Sequence, residues 1–271
     1  MKTRIISAVV GIAIFILVVY FMPPVAAIAA FAFICGVAAY EFLGETKVLK
    51  KGSALLWMCC LTAAAIPVLT SYFEAYIVLP IIYAFTLLVF LWGIFHHETV
   101  HFEEIAKAYL GTIIIPYMLS SVVRILVHNG SYGRIFVLLP FVAAWCSDTM
   151  ALTVGMICGR HKLAPAISPK KTIEGAVGGI LGGILGMLIY GIVTAHFFDT
   201  QPDFILLIVA GTIGAIAGQI GDLSLSLIKR NTGIKDYGKI MPGHGGILDR
   251  FDSVVFTAPL FEVMLHFTKI L

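Results

Sequence analysis

Charge is what this sequence has least of. Of 271 residues only 33 are Asp, Glu, Lys or Arg, or 12%, about half the share in a soluble domain. The shortage excludes a soluble globular protein. Together with the 60% hydrophobic content it also excludes a disordered chain and a nucleic-acid binder, while the net charge of +3 says little about partners. Cysteine is also sparse. Cys35, Cys59, Cys60, Cys146 and Cys158 all lie in apolar segments, and no spacing suits zinc, so they read as small buried hydrophobes. Sustained apolar/polar alternation is missing, which argues against a β-barrel. No mitochondrial-type transit sequence is visible.

What is present is long apolar runs. A spanning helix needs about 20 mainly apolar residues. Nine segments meet this: Ile5–Met22, Pro24–Leu43, Ser53–Tyr72, Tyr76–Phe95, Glu104–Val127, Arg134–Ile157, Gly175–Phe198, Asp203–Ile228 and Asp252–Ile270. The expected fold is all-α: a polytopic integral membrane protein of about nine transmembrane helices with no soluble domain. Pro67 and Pro116 are expected to kink the third and fifth helices. The first run follows Lys2 and Arg4 and exceeds the core of a signal peptide, so it reads as an uncleaved helix.

Lys and Arg in short loops mark the cytoplasmic side. With nine helices, the N-terminus and the even connections face the cytoplasm, placing 14 of 18 basic residues inside. The chain divides into residues 1–100, which carry no motif, and 101–271, which hold two longer cytoplasmic loops at about 159–174 and 229–251. Loops of that length in a minimal membrane protein commonly carry function. Gly175, Gly179 and Gly183, Gly178, Gly182 and Gly186, and Gly214 with Gly218 repeat at a spacing of four, which lets helices approach closely in lipid.

The charges are unevenly placed. Residues 159–175 and 222–252 hold 14 of the 33. Asp222 lies about 29 Å along its helix from Asp203 at about 1.5 Å per residue, near the cytoplasmic interface. Ser226 follows at i+4 and Arg230 at i+8. An acid at that depth marks a functional site; the plainer alternative is pairing with Lys229 or Arg230. In Met241-Pro242-Gly243-His244-Gly245-Gly246, the glycines permit a turn whose N–H groups converge on an anion. The i, i+3 spacing of Asp249 and Asp252 puts both carboxylates on one face of a helix start, suited to a divalent cation carrying phosphates; helix capping is the alternative. Ser168, Lys170, Lys171 and Thr172 are phosphate-binding types at a helix N-terminus, or a capped start with lysines on the cytoplasmic side. Asp148, inside the sixth helix, suggests either a polar cavity or a hydrogen bond between helices. Glu41, Glu262 and His266 read as packing or interface residues, and His96, His97 and His101 as a solvated loop, with a metal site the alternative.

Ser226-Leu227-Ile228-Lys229-Arg230, Lys235-Asp236, Pro242-Gly243-His244-Gly245-Gly246 and Asp249-Arg250-Phe251-Asp252 together resemble the signature of phosphatidate cytidylyltransferases (CDP-diacylglycerol synthases). The Ser168-Pro169-Lys170-Lys171-Thr172-Ile173-Glu174-Gly175 stretch and Asp148-Thr149 resemble upstream blocks of that family. The resemblance implies a nucleotidyltransferase of phospholipid biosynthesis in a bacterial inner membrane. It would convert CTP and phosphatidate to CDP-diacylglycerol and pyrophosphate, and it implies a homodimer. Asp222 and Asp249 are implied as ligands of Mg²⁺, with K⁺ alongside. Asp252 is a supporting acid, and His244 orients a phosphate or moves a proton. Lys170, Lys171, Lys229, Arg230, Lys239 and Arg250 would hold phosphates, with Ser168, Thr172, Ser226, Gly245 and Gly246 lining the substrates. A CTP-dependent lipid kinase, an ether-lipid cytidylyltransferase and an ion-coupled transporter are the competing readings.

Overall fold

The structure, a computed structural model, describes residues 11, 13–73, 78–198, 200–238, 240, 245–268 and 270–271. It is helical apart from one small hairpin. A π-helical turn, Leu17–Phe21, precedes α1 (Pro24–Glu45), α2 (Ala54–Tyr72) and α3 (Val78–Phe95). Then come α4 (Phe102–Tyr109), a π-helical stretch Leu110–Ile114, and α5 (Ile115–His128). A 3₁₀ turn (Gly130–Tyr132) and the short α6 (Gly133–Phe136) lead into α7 (Leu139–Cys158). Strands β1 (Lys162–Ala164) and β2 (Ser168–Thr172) precede α8 (Ile173–Phe198) and α9 (Phe204–Asn231), and the four-residue α10 (Leu248–Phe251) leads to α11 (Val254–Phe267).

Among the described residues, seven helices are long and apolar enough to cross a membrane, from Pro24–Glu45 through Phe204–Asn231. They match the second through eighth segments of the sequence. Residues 5–10 and 12 of the first segment lie outside the described residues, and the described part is helical as far as Phe21. The ninth is shorter than a usual span, the 14 residues of α11. Boundaries follow local chemistry. Pro24 sits at the first helical position of α1, where its missing N–H costs nothing. Asp203 caps α9 by accepting from the N–H groups of Ile205 (2.9 Å) and Leu206 (3.1 Å). Pro116 does not break its helix. The π-turn ahead of it, closed by an Ile115 N–H donating to the Leu110 carbonyl, absorbs the mismatch.

Two compact units emerge: residues 1–130 with 234–250, and residues 131–233 with 251–271. In the first, α1, α2 and α5 pack together around Phe31, Phe42, Leu56 and Leu119, all buried. In the second, α8 is sheathed by α7 and α9. Its two glycine stripes explain the close packing. Gly178, Gly182 and Gly186 lie against Val154, Met150 and Cys146 of α7, while Gly183 meets the Gly211 carbonyl of α9. Beside the stripes, Leu181, Leu185, Ile189 and Ile192 are each at least half exposed. Exposed apolar side chains in a row suit lipid rather than water.

Candidate active site

Residues 168–172 are a strand and not the first turn of a helix. The antiparallel pairing sets Lys162 against Thr172 and Ala164 against Ser168, and the hairpin closes with Ile167 N–H donating to the Ala164 carbonyl at 3.1 Å. Pro169 and the successive polar side chains disfavour a helix here. Burial rises towards the end of the strand: Lys170 is exposed and Lys171 half-buried. Thr172 is turned inward, and its Oγ1 accepts from the Gly175 N–H at 3.1 Å, capping α8. Glu174 clamps the hairpin base: its carboxylate accepts from the N–H groups of Arg160 (3.1 Å) and His161 (3.2 Å) and lies 2.6 Å from His161 Nδ1. Arg230 at the end of α9 donates from Nε to the Ile167 carbonyl at 3.0 Å, pinning the turn.

Lys171 is ion-paired with Asp222 of α9, each side chain about a quarter exposed. Asp222 thus meets a cation supplied by the hairpin. One turn on, Ser226 donates to Asp222 Oδ1 at 3.3 Å, as i, i+4 spacing requires. Lys229, a further turn away, is buried.

Asp148 and Asp252 join the same unit's polar cluster. Ser253 links them: its hydroxyl donates to Asp148 Oδ2 at 3.1 Å and its N–H to Asp252 Oδ1 at 2.8 Å. Asp252 lies in the turn ahead of α11, outside the spanning helices. Burial, then the Asp222 and Asp148 carboxylates, pushes its carboxyl above the ordinary aspartate range, against a downward pull from Lys229. A site that gathers negative charge in this way favours either a proton or a cation.

Asp249 belongs to the other unit. It is buried, and its Oδ2 accepts from the N–H groups of Tyr237 (2.8 Å) and Gly246 (3.0 Å). Because α10 ends at Phe251, Asp252 falls beyond it. The single helix face expected to present both acids is not formed. Gly245 has φ +86°, a left-handed conformation suited to glycine, and it turns the chain back towards Asp249. Of the glycine-rich turn only Gly245 and Gly246 are described, and N–H groups converge from Gly246, Ile247 and Leu248. The anions they meet here are the chain's own carboxylates: Asp249 for Gly246, and Glu41 for Ile247 (3.1 Å) and Leu248 (3.0 Å).

Glu41, which the sequence offers as a packing or interface residue, makes these contacts from α1. No local signal could have marked it, because its partners lie 206 and 207 residues away. Arg250 is exposed. Lys239 and His244 lie outside the described residues, as do Met241, Pro242 and Gly243. Among the described residues, no three His, Cys, Asp or Glu side chains form a ready-made metal cage. Oxygen donors in ones and twos fit Mg²⁺ all the same, since that ion takes one or two carboxylates and completes its shell with substrate phosphates and water.

A family model described as the cytidylyltransferase family matches residues 2–268. A phosphatidate cytidylyltransferase of Staphylococcus haemolyticus (strain JCSC1435) is 46% identical over 135 residues, 50% of each chain. That of Staphylococcus saprophyticus subsp. saprophyticus is 44% identical over 140 residues, 52% of each. That of Staphylococcus aureus (strain COL) is 43% identical over 135 residues, again 50% of each. In these matches the chain spans about half the length of the curated relatives.

Proposed function

This chain belongs to the cytidylyltransferase family, and on that premise we propose that it transfers the cytidylyl group of CTP to phosphatidate within a bacterial membrane. A phosphate oxygen of the lipid attacks the α-phosphorus of CTP. A new P–O bond forms, the bond from the α-phosphorus to the bridging oxygen breaks, and pyrophosphate leaves with that electron pair. The product is CDP-diacylglycerol. The attacking oxygen is already ionised near neutral pH, so positioning and charge neutralisation carry the catalysis rather than a strong base.

The observation that supports this reading best is the Lys171–Asp222 pair, with Ser226, Lys229 and the Asp148–Ser253–Asp252 link in the same unit. Carboxylates for a cation and ammonium groups for phosphates share one region of an otherwise apolar chain. Asp222 and Asp249 are the proposed holders of Mg²⁺, with K⁺ alongside and Asp252 in support. The cation, when bound, neutralises the triphosphate and favours departure of pyrophosphate. Lys171 is proposed to pass from Asp222 to a substrate phosphate. Lys170, Lys229, Arg230, Lys239 and Arg250 are proposed to hold further phosphate oxygens, Ser168, Gly245 and Gly246 to line the substrates, and His244 to orient a phosphate. Thr172 and Ser226 act through the α8 cap and the Asp222 contact. A site facing the cytoplasm would take CTP from water and phosphatidate from the leaflet. The homodimer remains part of the proposal.

The test is direct. Purified protein in detergent receives CTP, phosphatidate and MgCl₂, and the products are read by mass spectrometry. The expected products are CDP-diacylglycerol and pyrophosphate in equal amounts. CDP with a newly phosphorylated lipid would identify a kinase instead, and failure to consume CTP would overturn the reading.

A further inference from the structure

Glu41 sits in α1, a 22-residue helix with few polar side chains, and is 3% exposed. A buried carboxyl group is costly unless donors meet it. Both oxygens find one. Oε1 accepts from the Ile247 N–H and Oε2 from the Leu248 N–H, backbone donors at the start of α10 that have no partner within the helix. Two glycines make room for this approach: a Cβ on Gly238 or on Gly246 would overlap the Glu41 carboxylate. The next residue, Phe42, stacks on Tyr237 with ring centroids 5.5 Å apart, and both rings are fully buried.

These contacts share one beneficiary. Tyr237 and Gly246 are the two residues whose N–H groups hold Asp249 Oδ2. Glu41 fixes Ile247 and Leu248 between Gly246 and Asp249, while Phe42 fixes Tyr237. One turn of α1 thus anchors both sides of the cradle around Asp249.

We infer that Glu41 is a positioning residue for the cation site: it holds the segment 245–249 so that the Asp249 carboxylate is set before a cation arrives. This rests on the proposed role of Asp249 as a cation ligand. It places part of the catalytic apparatus in the N-terminal region that carries no recognisable motif.

Glu41→Gln tests it. The amide keeps the size but turns an N–H₂ group towards one of the two backbone donors. Wild type and variant are reconstituted in lipid nanodiscs. Mn²⁺ binding in the presence of CTP is counted by electron paramagnetic resonance, and backbone hydrogen exchange is followed by mass spectrometry. The expected result is unchanged exchange in α2 and α5, faster exchange at Gly246–Asp249, and Mn²⁺ affinity reduced about 10- to 100-fold, the usual effect of losing a group that supports a metal ligand. Glu41→Asp keeps the charge but is one methylene short, and should fall between. Glu45→Gln, one turn on and paired with the exposed Lys51, should change neither readout. Wild-type exchange at 246–248, or wild-type Mn²⁺ affinity, overturns the inference. Failure of both Glu41 variants to fold also overturns it, leaving a purely structural role. Neither readout needs turnover. A chain that makes no CDP-diacylglycerol defeats the functional reading, and the two measurements still decide the role of Glu41.

Discussion

Lys171 of β2 and Asp222 of α9 form an ion pair across 51 residues of sequence, with both side chains about a quarter exposed. At that exposure the pair contributes little to stability, about 0–1 kcal/mol. Its importance is placement. A proposed cation ligand and a proposed phosphate ligand neutralise each other here, and the hairpin carries the lysine of that pair.

Lys171→Gln should therefore separate stability from activity. The unfolding free energy should fall by no more than about 1 kcal/mol. The kcat/KM for CTP should drop about 10- to 100-fold, the equivalent of one charge-assisted phosphate contact of about 1.5–3 kcal/mol. Thermal unfolding and initial rates, measured on the same detergent preparation, give both numbers. A large loss of stability with normal kinetics would make Lys171 a scaffold residue.

Asp222 and Asp249 should differ in the opposite sense. Both Asp→Asn variants are expected to abolish turnover. Asp249 is buried and accepts two backbone N–H bonds on one oxygen, so removing its charge weakens two bonds of the stronger, charge-assisted type. Asp249→Asn should cost about 1–3 kcal/mol of stability. Asp222→Asn loses a pair whose side chains are about a quarter exposed and a 3.3 Å serine contact, and should cost about 1 kcal/mol or less. Equal shifts in unfolding temperature would show that the Asp249 cradle is not under the load described.

Much of this architecture could be read from the amino-acid order because it is local. Seven apolar runs became seven helices, and the four-residue glycine spacing became two packed stripes on α8. The Asp222–Ser226 contact followed from i, i+4 geometry. What escaped was non-local or too short to have a period. Residues 168–172 are too few to show strand alternation beside Pro169. The four-residue α10 ends before it can align Asp249 with Asp252. Asp148 meets Ser253 across 105 residues, and Glu41 meets Leu248 across 207; neither partner is implied by its neighbours. The motif residues were thus legible as candidates, while the contacts that orient them were not.

The glycine stripes lead to a last expectation. A Cβ built on Gly183 would stand 2.7 Å from the Gly211 carbonyl oxygen and 2.8 Å from Ala215 Cβ. A backbone oxygen in mid-helix cannot swing aside, so Gly183→Ala must push α8 and α9 apart. Such overpacking costs about 1–3 kcal/mol. It also moves the helix bearing Asp222 relative to the one that continues from the Lys171 strand, so activity should fall together with unfolding temperature. Gly36 in α1 is the control. Its Cβ would meet only Ala64 Cβ and the Cys60 carbonyl, both at an ordinary 3.4 Å. Gly36→Ala should leave activity intact and be neutral to stabilising, because alanine is favoured over glycine inside a helix by about 0.5–1 kcal/mol. If both substitutions were tolerated equally, close contact between α8 and α9 would not be what holds the hairpin lysine and the helix acid in register.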